Sequence, residues 1–230
     1  MRAVSDKRRR TQGGQEFLEF SLIFGLVLAP LFLSMIIYGM NLIVSNQVNF
    51  LCSEIGALYI GGQDLTLAST QATVASLANG LNLVVGTTGG YANTSNSTSS
   101  GIVTITQIKY VGTSAQTTCT GISSCNTNSF VYMQRIQFGN GSLATAPTSV
   151  AGTPSTGITV NSQGIVANPY GDSHAKLTGT AESGMVALWN AGNTGGLQDG
   201  QIVNLVETYF ESTGFSFGSG THGVYAKFFF

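Results

Sequence analysis

The sequence predicts an α+β protein: one long N-terminal, membrane-spanning helix packed on an antiparallel sheet of about four strands. Three observations carry that reading. From Phe20 to Val44 there are 25 consecutive residues without Asp, Glu, Lys or Arg. Apolar residues then recur at helical spacing, as Val44, Val48, Leu51, Ile55 and Leu58. Later, four runs rich in β-branched and aromatic residues are separated by Gly, Pro, Ser and Asn, the punctuation of strands and turns.

The chain opens on a basic run, Lys7-Arg8-Arg9-Arg10, followed by Gly13-Gly14 and Gln15-Glu16-Phe17-Leu18-Glu19-Phe20. At 1.5 Å rise per residue the uncharged run makes a helix about 37 Å long, enough to cross a hydrocarbon core of about 30 Å. Cationic residues ahead of a first span keep that end in the cytoplasm, so the chain after about Val44 is expected outside. A cleaved secretory signal has an apolar core of about 7–15 residues and a small-x-small cleavage site. This run is much longer, and no Ala-x-Ala triplet closes it. Glu19 is the odd element, because a carboxylate costs on the order of 2.5 kcal/mol or more at the centre of a span and less at its edge. An acid held there is expected to have a function. Pro30 removes one helix hydrogen bond and is expected to kink or loosen the helix, while Gly25 and Gly39 permit close helix approach.

Beyond the span, Ser45, Asn46, Asn49, Ser53 and Glu54 take the face opposite the apolar stripe, so the helix continues as an amphipathic one to about Ile60. Gly61-Gly62-Gln63 stops it. Asp64 is a candidate N-cap for a second helix, Leu65 to Ala78, with Leu67, Val74, Leu77 and Ala78 as its apolar side and Asn79-Gly80 as its end. Residues 86–101 are almost all Gly, Thr, Ser and Asn and read as loop. Ile102–Tyr110 and Phe130–Phe138 read as strands of a hairpin with a long connection. Within that connection Cys119 and Cys125 bracket five turn-rich residues, Thr-Gly-Ile-Ser-Ser, of the kind a local disulfide clips, in an oxidising exterior. Cys52 is left over on a helix face, as a small hydrophobe. Residues 139–180 are turn-rich, with Gly157 to Val160 a short strand candidate. Ala181–Trp189 reads as a short helix or turn, and Ile202–Glu211 and Gly223–Phe230 as closing strands. Phe228-Phe229-Phe230 is expected as a buried terminal strand, with an aromatic recognition tail as the alternative.

Composition excludes several classes. After Gly14 only Lys109, Arg135, Lys176 and Lys227 stand against nine acids, a net charge of −5, so no basic patch for nucleic acid exists. Charged residues are 8% of the chain, a polar but uncharged balance suited to a bacterial surface domain rather than a cytosolic enzyme. Asp172-Ser173-His174 holds the residue types of a hydrolase triad, but sequence neighbours do not converge as triad roles require. His174 and His222 lie in loop sequence, and no Cys or His completes a zinc set with Cys119 and Cys125. No catalytic residues, metal or cofactor are expected.

The spacing of Gly14, Glu19 and Phe20 resembles a type IV prepilin (class III) signal, which a membrane peptidase cuts after the Gly, leaving Glu as the fifth mature residue. That resemblance implies cleavage between Gly14 and Gln15. It also implies that Glu19 of one subunit pairs with the new α-amino group of Gln15 on a neighbour, an attraction far stronger in a low-dielectric filament core than in water. Gln15 stands where larger pilin families have Phe or Met. Within the superfamily the chain is most similar to the TadE/TadF-like minor pilins (pseudopilins) of tight-adherence (Tad) systems. Arg8-Arg9-Arg10, Gln15 with Glu19-Phe20, Pro30, Tyr38-Gly39, Asn46-Gln47 and Gly56-Ala57-Leu58-Tyr59 carry the likeness over about residues 8–60. Val203–Phe210 is similar to a late strand of that family.

The resemblance implies a pilin-like fold in three parts: a cytoplasmic leader at 1–14, a long helix at 15–60 with its transmembrane part at about 20–44, and an extracytoplasmic domain at 61–230. It implies a minor pilin, stored in the bacterial inner membrane with its N-terminus cytoplasmic and then assembled into a surface pilus or periplasmic pseudopilus. Its partners would be a prepilin peptidase, other pilin subunits through the N-terminal helix, an inner-membrane assembly platform and the membrane itself. The alternative is an uncleaved single-pass protein whose external β-rich domain binds a ligand or surface.

Overall fold

The computed structural model describes residue 14 and residues 16–85, 98–113, 118–145, 149–192, 196–211 and 223–230. The chain divides into two units, Met1–Ile43 and Val44–Phe230. One helix, α1 (Glu16–Ile60), contributes to both. Within the first unit the apolar side chains of α1 are exposed on every side, Leu22, Leu26, Phe32, Ile36 and Tyr38 among them. A helix apolar all round suits a lipid environment. The expected loosening at Pro30 takes the form of a π-helical turn, Phe24–Leu28, immediately before it. The Ala29 amide there bonds back to the Phe24 carbonyl, five residues earlier. The wider turn eases the clash that the proline ring makes with the carbonyl four residues before it.

In the second unit α1 is amphipathic, as the spacing predicts. Val48, Leu51, Cys52 and Ile55 are fully buried, and Val44 and Leu58 pack beside them. The helix ends in a Schellman motif: Gln63 N–H donates to the Leu58 carbonyl, Gly62 N–H to the Tyr59 carbonyl, and Gly62 takes φ +74°. The second helix, α2 (Ala68–Leu77), starts later than expected. Asp64 caps a turn instead, accepting from the Thr66 amide at 2.9 Å and the Thr66 hydroxyl at 2.6 Å. The capped turn does not run on into the helix: Leu67 takes an extended conformation, φ −76° and ψ 140°, so α2 begins only at Ala68 and Leu67 is exposed rather than on the apolar side.

Four antiparallel strands follow: β1 (Gly101–Val111), β2 (Ser129–Gly139), β3 (Ile202–Glu211) and β4 (Gly223–Phe229), in spatial order β2-β1-β3-β4. One face carries Val103, Ile105, Ile136, Phe138, Val206 and Phe210 against the α1 stripe, α2 and Leu65. The opposite face carries Ile108, Tyr110, Phe130, Tyr132 and Leu205 under residues 150–188. A bulge lets β2 serve both. Gln107 pairs with Gln134 but Ile108 pairs with Tyr132, so Met133 is the extra residue. Even-numbered side chains before it face one way and those after it the other, although plain alternation puts all of them on one face. Gly101 and Gly223 are covered by aromatic rings of β3. A Cβ on Gly101 would lie 2.2 Å from the Phe210 ring, and one on Gly223 2.3 Å from the Tyr209 ring.

The segment expected as a short helix or turn is α3 (Thr180–Gly192), whose Ala181 and Met185 enter the second core. Gly157 to Val160 does not form a strand; Val160 makes only an isolated bridge with Val166. Phe228 and Phe229 point to opposite faces, as alternation requires. Phe228 is 39% exposed while Phe229 packs on the second core.

Candidate functional site

The residues that the sequence singles out near the N-terminus lie at the start of α1. Gly14 is exposed and in helical conformation, with nothing within 4 Å of the place a Cβ would occupy. Gln15 and the basic run lie outside the described residues. Glu19 and Phe20 follow on exposed turns, and the Phe20 and Phe24 rings stack one turn apart, with centroids 6.3 Å apart. Glu16 and Glu19 are three residues apart and so share a helix face. Both stand near the N-terminal end of α1, where the helix dipole favours negative charge. Chemically the segment offers carboxylates, then an uncharged and largely apolar cylinder. It can receive a cation and pack laterally on lipid or on other helices.

Cys119 and Cys125 form a disulfide with Cα atoms 5.7 Å apart. It closes part of the β1–β2 connection and packs on Val111, Val131, Met133 and Tyr170. Asn126 ties this loop to the next one, donating from Nδ2 to the carbonyls of Pro169 and Asp172. Cys52 is buried, and its thiol lies 3.4 Å from the Val206 carbonyl, which it reaches as a weak donor. Burial pushes that thiol up to about 11.

Asp172, Ser173 and His174 remain a local turn. His174 Nδ1 lies 2.9 Å from Asp172 Oδ1 with its ring half exposed, and the Asp172 side chain also accepts from the His174 amide. His222 lies outside the described residues. Among the described residues no three His, Cys, Asp or Glu side chains converge on one point.

Sequence reasoning did not anticipate a polar clasp on the second sheet face. Glu207 is 4% exposed and accepts three hydrogen bonds: from Ser149 Oγ at 2.5 Å, the Val150 amide at 2.8 Å and the Tyr225 hydroxyl at 2.5 Å. Arg135, equally buried, donates to the Gly152 carbonyl at 2.7 Å, and the Tyr132 hydroxyl donates to the Ala151 carbonyl. Four consecutive residues, Ser149 to Gly152, are thereby stitched to the sheet. Burial, and then the Glu207 charge, push the Tyr225 phenol far above its usual value. The available signal was one charged residue, Arg135 or Glu207, in the middle of each of two strands rich in apolar residues.

Comparison of the chain with protein-family models, with curated proteins and with solved structures finds no match.

Proposed function

We propose that this chain is a TadE-like minor pilin or pseudopilin, processed by a prepilin peptidase between Gly14 and Gln15 and assembled into, or priming, a Tad-type pilus or secretion apparatus. The observation that carries the proposal is the position of Glu19. It stands five residues after an accessible Gly14, at the mouth of the uncharged run and on the same helix as that run, Glu16–Ile60. A plain anchor has no use for an acid there, whereas a filament subunit can pair it with a neighbour's new α-amino group. Two further observations support the same reading: α1 from Val44 onward packs on the antiparallel sheet, and the apolar side chains of α1 before it are exposed.

Function is therefore mechanical rather than catalytic. The apolar half of α1 stores the subunit in the inner membrane, Glu19 sets the register on assembly, and the β-rich unit is displayed outside. Two variants in a host with an active prepilin peptidase test this. Gly14→Ala is expected to block processing, because a side chain at that position obstructs the cut. Glu19→Ala is expected to be processed yet fail to enter sheared filaments. Normal assembly of Glu19→Ala refutes the charge-pair role.

A further inference from the structure

On the α1-facing side of the sheet, the apolar pattern stops abruptly at one end. Gln107 of β1 has Gln134 of β2 and Asn204 of β3 as its direct cross-strand partners. Three neutral amides therefore stand in a row across three adjacent strands, at the strand spacing of about 4.8 Å. The row continues to Phe230, whose backbone pairs with that of Asn204 through two hydrogen bonds. From above, the end of α1 brings Tyr59, and the turn after it brings Asp64. Together they enclose an open cleft of about 690 Å³, within the range of small-molecule sites.

The amides are held but not saturated. Gln107 Nε2 donates to Asn204 Oδ1 at 3.1 Å, which fixes both planes. The Gln107 oxygen and the Asn204 Nδ2 are left for a ligand, one acceptor beside a two-proton donor. Gln134 accepts from the Tyr59 hydroxyl at 2.8 Å and donates to the Gln163 carbonyl at 2.9 Å, so it is rigid as well. Asp64 is fixed through one oxygen by Thr66, which holds its carboxyl below the usual range; its other oxygen is available. The Tyr59 and Phe230 rings, with centroids 6.2 Å apart and planes tilted by 57°, supply apolar wall beside this polar floor. Among the described residues no Lys, Arg or His lines the cleft, so none of them selects a phosphate or a carboxylate there.

We propose that this cleft binds a neutral carbohydrate, a short oligosaccharide segment whose hydroxyls exchange hydrogen bonds with the Gln134–Gln107–Asn204 row and Asp64 while its apolar ring face lies on Tyr59 and Phe230. Fixed amides with adjacent donors and acceptors match vicinal hydroxyls, which also donate and accept. One ionised carboxylate with a free oxygen adds a stronger, charge-assisted acceptor. A peptide strand, by contrast, is recognised by main-chain pairing along a sheet edge, and this row lies across a sheet face.

The test uses the full chain in sugar-free phospholipid nanodiscs. Ligand-observed NMR is run with neutral gluco-, galacto-, manno- and N-acetylglucosamine trisaccharides, with trialanine amide as the peptide probe. Saturable binding of at least one trisaccharide is expected. Gln107→Leu should weaken it at least tenfold with the unfolding midpoint unchanged. Asp64→Asn, an exposed change that keeps the turn, should weaken it several-fold even if Gln107→Leu does not fold. The proposal is overturned if no trisaccharide binds, if binding survives both variants, or if trialanine amide alone binds. Cleavage and assembly are separate matters: a chain that keeps residues 1–14 yet binds sugar refutes the pilin reading and leaves this one intact.

Discussion

Glu207 is the residue whose replacement most sharply tests how the globular unit is held together. Its carboxylate is buried and accepts from Ser149, the Val150 amide and Tyr225. Two of the three donors share Oε1 and one uses Oε2. Glu207→Gln keeps the shape and leaves an amide oxygen for Val150 and Tyr225, while the Ser149 hydroxyl can turn to accept. What is lost is the charge assistance, about 1 kcal/mol. Glu207→Leu leaves all three donors facing an apolar side chain. At about 1–3 kcal/mol per unsatisfied buried group, with the half-exposed Ser149 turning to water, the loss is about 3–5 kcal/mol. For a unit of this size that is on the order of 10 °C in Tm. Thermal unfolding of the full chain, followed by the fluorescence of Trp189, measures both. Limited proteolysis near Ser149–Gly152 should show early cutting in the Leu variant only. Equal destabilisation by Gln and Leu would refute the clasp, because shape rather than hydrogen bonding would then be what Glu207 supplies.

Replacing Cys119 and Cys125 by Ser opens a loop with a sequence separation of 6. The chain-entropy relation for so short a loop gives a loss of about 2.4 kcal/mol, readable as a lower urea midpoint, and an unchanged midpoint contradicts it. Gly101→Val drives a side chain into the Phe210 ring and should lose about 1–3 kcal/mol by overpacking; a melt at the wild-type temperature contradicts that. Alkaline stability should fall in two stages. The Cys52 thiol is raised from 9.0 to about 11, so its contribution is whole below pH 9 and lost as pH rises through 11, about 2–3 kcal/mol in all. Tyr225 adds to the loss above pH 10. Unfolding titrations of Cys52→Ala should be flatter between pH 9 and 11 than wild type; an unaltered slope would discard the assignment.

Periodicity made much of this architecture readable. The α1 stripe, the four strands and the Cys119–Cys125 link are each local patterns, of period 3.6, of period near 2, or of short spacing. What escaped depends on contacts distant in sequence or on local competition. The start of α2 moved because the turn that Asp64 caps is broken by an extended Leu67, and the helix begins one residue later. The two faces of β2 were hidden because Phe130, Tyr132, Gln134, Ile136 and Phe138 alternate without a visible break, and only pairing with β1 singles out Met133. The clasp joins Glu207 to Ser149 and Tyr225, and the amide cleft joins Tyr59, Gln107, Gln134, Asn204 and Phe230. No short window of sequence contains either set. In the N-terminal segment the order reverses: Gly14, Glu19 and Phe20 are legible as a motif, and the structure adds that they stand at the head of an exposed apolar helix.

In the proposed function, the acid at the head of that helix marks a processed, assembling subunit. Intact-mass and N-terminal peptide analysis of the protein from membranes and sheared filaments, in a host with active prepilin peptidase, tests it most directly. A mature chain beginning at Gln15, present in both fractions, is the expected result. A chain that retains residues 1–14 in that host, and is confined to the membrane, contradicts it.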